Sequence, residues 1–369
     1  MPQISQTTIA DVIGRLPQLV LWSAANIESS IRLLIVCAGF EERAAAIVKE
    51  LKHVTVDHLL VIEYPTNQAE NATSLSRFDS IRAKNRHHIK YSRSTFLSDV
   101  GREVERCVGS PSRILIDVSA MASYVTSRVL KSVWERCGSS SVLIFYAEAQ
   151  TYHPTHDDWN TFFANVPDPD DNLSIAACYE DSYFQSRGVD ETYECDAFPG
   201  RNEGPLATEL VIIPSFSLQR VKSMTTLAEA RYNVTAKTTH WFLGSPPNKS
   251  TNGWRFDAVA KLYNVRSGGV AVDTRDYRDI LRKLDETWTE ALKNERHLVL
   301  GGMGSKLQNI GVFLFLTIHS ECGLLHCEPK EFIANRYTEG IGPTWCLDIG
   351  EILAMKDLLE SRGSLKFMW

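Results

Sequence analysis

The sequence predicts an α/β fold made of two tandem Rossmann-like parallel-sheet domains related by internal duplication. Three observations predict it. Apolar runs rich in Val, Ile and Leu alternate with amphipathic stretches of about a dozen residues. The alternation stops in an acidic stretch containing Pro167-Asp168-Pro169-Asp170-Asp171 and then restarts. Five short blocks recur in the same order about 180 residues apart.

In the first half, Ile31–Ala38 reads as a strand, Glu41–Leu51 as a helix, and His58–Ile62 and His88–Tyr91 as strands. Phe96–Val108 reads as a helix, Arg113–Val118 as a strand, Ser123–Cys137 as a helix and Ser141–Tyr146 as a strand. Several strands are nearly continuous Leu, Ile and Val, as expected where helices cover both faces of a parallel sheet. The alternation resumes at Glu209. The expected organisation is a first domain at 1–155, an acidic linker with minor structure at 156–208 and a second domain at 209–369.

The repeat aligns Leu33–Val36 and Arg43 with Leu210–Ile213 and Arg220, and Leu60–Pro65 with Trp241–Pro246. Arg77-Phe78-Asp79 matches Arg255-Phe256-Asp257, the sharpest single match, and Arg113–Asp117 corresponds to His297–Gly301. Glu148 with Tyr152 corresponds to Glu328 with Phe332. A shared hydrophobic rhythm explains recurring strands but not the repeated Arg-Phe-Asp. A duplicated pair is expected to pack with pseudo-twofold symmetry, which would set corresponding loops face to face.

With 369 residues, 44% of them hydrophobic, the chain is long enough for two cores. A net charge of −6 argues against a surface tuned to the phosphate backbone, so nucleic-acid binding is not favoured. The basic cluster Arg82–Lys90 lacks interleaved aromatics and reads as a solvated face. The eight cysteines show no disulfide spacing and read as reduced thiols. Met1 to Ile13 lacks the layout of a signal peptide, and Ile310–Ile318 is too short to span a bilayer. A cytoplasmic protein with no membrane association is expected. His319, Cys322, His326 and Cys327 lie in one apolar connection, which favours core packing over zinc, so no metal is expected.

Ligands of open α/β sheets bind beyond the carboxyl ends of the strands, and most of the repeated blocks fall there. After the first strand come Gly39, where backbone approaches a ligand closely, and Arg43, which pairs with a phosphate or carboxylate or serves as surface charge. No GxGxxG is present and no cofactor is expected. Asp117 and Ser119 follow the fourth strand, either hydrogen-bonding a ribose or base or capping the next helix. The matching turn of the second half holds Gly302, Gly304, Ser305 and Lys306, the strongest phosphate-site signal in the chain. It departs from the P-loop because Lys306 follows Ser305.

Arg77 and Arg255 read as a symmetric anion clamp, or as structural Arg–Asp helix contacts. Tyr152 at a strand exit would stack on a base, and Arg336 would close over the ligand. Glu148 and Glu328 are candidate general bases under an enzymatic reading.

The Asp117-Val118-Ser119 turn after the fourth strand, with the tandem fusion and the looser Gly302–Lys306 turn, resembles the CRISPR-associated Rossmann fold (CARF) sensors and their fused SAVED relatives. Where that family carries a basic residue shortly after the turn, Ser123 stands here, and no fused effector domain is recognised. The resemblance implies a nucleotide sensor of prokaryotic antiviral defence, holding a cyclic oligonucleotide between the two halves. An effector protein or a second copy of the chain would then be its partner. The alternative is an enzyme acting on a nucleotide or on a phosphodiester or glycosidic bond with a Glu general base.

Overall fold

The computed structural model describes residues 8–23, 27, 30–109, 111–182, 184–200, 207–265 and 269–362. The chain is mixed α/β with two parallel-strand sheets and divides into two compact units. The first comprises 1–148, 313–319 and 341–369, and the second 149–312 and 320–340.

The sheet of the first unit runs in the order Val20–Leu21, Thr344–Glu351, Ser141–Ala147, Arg113–Asp117, Ile31–Ala38, Thr55–Glu63, Arg82–Lys90. The last five are parallel to one another, and Thr344–Glu351 is antiparallel to Ser141–Ala147. Numbered along the chain, the parallel strands have the doubly wound order 5-4-1-2-3, so the order reverses between Ile31–Ala38 and Arg113–Asp117. The helix Ser123–Arg136 starts beside that switch point.

Ile31–Ala38 is central and buried along nearly its whole length. Leu34, Val36 and Ala38 pack with Ala45, Ala46, Ile47, Leu51 and Phe78. Their alternating neighbours Leu33, Ile35 and Cys37 are equally buried, because helices cover the other face as well. Each such Leu or Ile contributes roughly 1.5–3 kcal/mol by leaving water.

The basic run Arg82–Lys90 is a nine-residue edge strand with mostly exposed side chains, rather than only the short strand expected at its end. Among the described residues no further strand pairs with its outer edge, and charged residues are what an exposed edge tolerates. The expected helix Glu41–Leu51 opens with a 3-10 turn, Glu42–Ala45, before the α-helix Ala46–Glu50.

The sheet of the second unit runs Val270–Asp273, Thr239–Ser245, Ala207–Ile213, Arg296–Gly302, Gly323–Glu328, Glu191–Glu194. Its first five strands are parallel and Glu191–Glu194 is antiparallel. The parallel order is again 3-2-1-4-5, with an antiparallel strand beside the fifth.

The segment 156–208 does more than connect. It supplies the helices His156–Ala164 and Asn172–Ser182 and the strand Glu191–Glu194. Trp159, Phe162, Ile175, Tyr179 and Phe184 pack with Phe216, Leu218, Leu243 and Ala258 in one apolar cluster of the second unit. The chain path is reciprocal. The antiparallel strand Glu191–Glu194, which follows the fifth strand of the first unit, joins the second sheet. Thr344–Glu351, which follows the fifth strand of the second unit, joins the first. The contiguous halves expected from the sequence therefore differ from the compact units, whose membership this exchange interleaves.

No helix among the described residues is long and apolar enough to cross a membrane. The eight cysteines form no disulfide, and all but Cys178 are buried.

Candidate functional site

In the first unit the strand exits are wired to one another by buried polar groups. The Arg43 guanidinium pairs with Glu41 at 2.6 Å and donates to the Ala147 carbonyl at 3.3 Å and the Tyr146 hydroxyl at 3.4 Å. Only 3% of Arg43 is exposed. Asp117 accepts from the Ser119 amide at 2.9 Å and from its hydroxyl, while the Ala147 amide donates to the Ser119 hydroxyl oxygen at 2.8 Å. Ser119 is fully buried. These bonds bring Asp117, Ser119 and Arg43 together around the end of Ser141–Ala147, and all three act from beneath the surface.

Gly39 follows the first strand at the switch point. A Cβ there would stand 2.8 Å from the Ala120 Cβ, so this glycine admits the neighbouring loop. Ser74 donates to the Gly39 carbonyl at 2.7 Å, fixing it from the other side. The Tyr64 hydroxyl donates to the Ala120 carbonyl at 3.2 Å and accepts from the Ala122 amide at 2.7 Å. Burial, followed by the neighbouring Cys37 and Tyr124, pushes the Tyr64 phenol well above its ordinary value and keeps it protonated.

Tyr64, Tyr91 and Tyr124 form a ring cluster with centroids 5.1–6.4 Å apart. These tyrosines were missed as site residues. Their signal was available, since Tyr64 and Tyr91 each directly follow a strand and Tyr124 lies in the first turn of the helix Ser123–Arg136.

The helix Ser123–Arg136 receives no side-chain cap at Ala122, which is in extended conformation. The helix after the fourth strand of the second sheet, Lys306–Ile318, is closed differently. The Ser305 amide donates to Gln308 Oε1 at 2.9 Å and the Gln308 amide to the Ser305 hydroxyl oxygen at 3.1 Å, a reciprocal capping box. Gln308 also donates to the Val272 and Asp273 carbonyls, both at 3.3 Å.

The glycines of this turn serve packing. A Cβ on Gly304 would meet Gln308 Oε1 at 2.5 Å, and one on Gly301 would meet Ile212 at the same distance. Gly302 is more open, with Leu324 at 3.4 Å. The Met303 amide is taken by the Ile213 carbonyl. Much of the expected phosphate loop is thus committed to its own fold, with Lys306 half-buried at the start of the helix.

Arg77 and Arg255 differ in setting. Arg77 is exposed near the end of the helix Gln68–Phe78, whereas Arg255 opens the helix Trp254–Leu262. Arg255 donates to the Tyr152 carbonyl and, at 2.8 Å, to the Pro154 carbonyl, and lies over the Trp254 ring. Burial draws its pKa down to about 10. Tyr152 and Arg255 are therefore joined through backbone, and beside them His153 bridges Asp158 and Glu339, 3.0 Å from each.

Glu148 is half-buried, with its backbone bonded to Pro343 and Gly342. Glu328 is buried and accepts from the Tyr193 hydroxyl. Arg336 is exposed at the end of a 3-10 turn. His319, Cys322, His326 and Cys327 are all buried.

One aligned pair keeps the same role in both units. Arg220 donates to the Cys327 carbonyl at 2.8 and 2.6 Å, as Arg43 does to the Ala147 carbonyl. In each unit an arginine after the first strand thus holds the end of the fifth.

No protein-family model matches the sequence, and the search of curated proteins found no relative. Among solved structures, a functionally unknown protein, PA1789 from Pseudomonas aeruginosa PAO1, is similar at 10% identity. The match covers 89% of this chain and 97% of that one with a TM-score of 0.22, too low to carry an argument.

Proposed function

We propose that the chain is a nucleotide-binding sensor that takes an anionic ligand at the strand exits of its first unit and does not turn it over. The observation that carries this reading is the start of Ser123–Arg136. A 14-residue helix begins at the switch point with no side-chain cap. The dipole at its start favours a negative group there, with the Val125 amide already taken by the Ala122 carbonyl. Tyr64 fixes the Ala122 amide and the approach to that turn, and Asp117, Ser119 and Arg43 hold the backbone beneath it. The fixed groups favour binding without a conformational search.

Of the two candidate general bases of the enzymatic alternative, Glu328 is engaged by Tyr193 in the second unit, whereas Glu148 follows Ala147 at the strand exits of the first. A cyclic oligonucleotide is the ligand suggested by the resemblance to CARF and SAVED sensors. Their tandem Rossmann-like plan also motivates reading the shared strand order as duplication.

The test is a thermal melt of the full chain with mono-, di- and cyclic nucleotides, followed by chromatography of each mixture. One class should raise the melting temperature in step with the logarithm of its concentration, equivalent to about 3 kcal/mol of apparent stability at a hundredfold excess over Kd, and return unchanged. A new product would favour the enzymatic reading, and no shift with any nucleotide would remove the sensor.

A further inference from the structure

A second cluster lies on the face of the first unit's sheet, away from the strand exits. His58 is on Thr55–Glu63 and His87 on the edge strand Arg82–Lys90. The register sets Leu60 opposite His87, so His58, two residues before Leu60, shares the face of His87. Nδ1 of His58 and Nε2 of His87 are 3.0 Å apart. Cys107, the last residue of the helix Phe96–Cys107, brings its thiol to the same place, and the three possible ligand atoms lie within 4.8 Å of one another. The thiol side is buried and the imidazoles are half-buried.

We propose that His58 Nδ1, His87 Nε2 and Cys107 Sγ form a binding site for a divalent transition metal of the zinc class, with a fourth position left to water. Two imidazoles and a thiolate are a borderline-soft donor set that suits zinc better than magnesium or calcium. Zinc bonds of about 2.0–2.3 Å put tetrahedral ligand atoms roughly 3.3–3.8 Å apart. The two nitrogens must therefore separate by a few tenths of an ångström, and the sulfur must come to within about 3.8 Å of each.

Two arginines stand beside the cluster. Arg32 donates to the Cys107 carbonyl at 3.0 Å, and Arg106, next in sequence, contacts both His87 Nδ1 and Glu103. Glu103 Oε2 stands 3.7 Å from His87 Nδ1. In the metal-free state the Arg106 guanidinium, which can only donate, faces His87 Nδ1, so the proton of the His58–His87 hydrogen bond sits on His87 Nε2. Binding needs that lone pair, so the His87 proton moves to Nδ1, where Arg106 gives way and Glu103 closes from 3.7 Å to accept it. The Cys107 thiol proton goes to solvent, so one proton is released per ion. Bound there, the ion would tie the edge strand to its neighbour and to the helix above it.

Cobalt(II) titration of the chelator-stripped full chain tests the site. The expected result is about one equivalent of tetrahedral cobalt with a thiolate charge-transfer band, displaced by zinc. Cys107→Ser should abolish the band, and Cys178→Ser, at the half-buried cysteine, should leave it intact. Glu103→Gln should weaken metal affinity about 10–100-fold without moving the melting temperature of the metal-free protein. Absence of a saturable band in the natural chain would overturn the proposal, as would a band that survives Cys107→Ser. If Cys107→Ser does not fold, unchanged affinity in Glu103→Gln overturns it instead.

Discussion

Arg43 shows how a residue marked for a ligand becomes part of the scaffold. From sequence, an arginine just after a first strand suits a phosphate; in the fold its charge is neutralised by Glu41, two residues before it, and its donors face the fifth strand. Sequence spacing cannot distinguish these roles, because the acceptor at Ala147 lies about a hundred residues away. The pair predicts its own test. Arg43→Met alone leaves Glu41 buried and uncompensated and should destabilise the protein by about 3–5 kcal/mol, while Arg43→Met with Glu41→Leu should recover much of that loss. Denaturant melts of the two variants decide it. Ser119 and Gly39 teach the same lesson, since each serves a neighbouring loop or strand end. The tyrosines gave a positional signal at strand exits that composition alone does not rank.

Elements were more legible than single roles wherever burial was continuous. Ile31–Ala38 was read to its ends because a central parallel strand is apolar throughout. Arg82–Lys90 was only partly read, because an edge strand can be charged on nearly every position. The helices of 156–208 were obscured by their acidic flanks, although Trp159, Phe162 and Tyr179 carry a real core.

One element makes a pH prediction. In the helix Tyr277–Lys293, burial works to raise the Asp279 carboxyl, but Lys283 at 2.7 Å, the Asp273 amide and Arg282 outweigh it and hold the group below its ordinary 3.8. The folded state therefore favours the charged form. Its stabilising contribution is complete above the unfolded value and is lost as pH falls through the depressed folded value. Asp279→Asn should lower the melting temperature at pH 7, and the difference from the natural chain should shrink in acid below the carboxylate range.

At the scale of the whole molecule, the α/β class and the alternation were legible, but the path of the chain was not. Local patterns cannot say that Thr344–Glu351 returns to the first sheet, since strand pairing is decided by partners remote in sequence. Removing residues 341–369 should therefore expose the edge of Ser141–Ala147 and loosen the first unit, although the deleted segment is at the far end of the chain. Hydrogen exchange should show lost protection in 141–147, with Ala207–Ile213 retaining its own.

The ligand is proposed to sit at the start of Ser123–Arg136, which has no side-chain cap. Ser123→Pro addresses it directly. Proline is tolerated at the first helical position, and Ala122 is already extended at φ −65° and ψ 155°, as a residue before proline prefers. The substitution removes one first-turn amide and places a ring over the turn while leaving the helix intact. Calorimetric titration with the nucleotide that stabilises the natural chain should show at least about a tenfold loss of affinity with an unchanged melting temperature of the free protein, as expected for losing a hydrogen bond to a charged group. Undiminished affinity in a folded Ser123→Pro variant would mean that the ligand does not bind at this helix start.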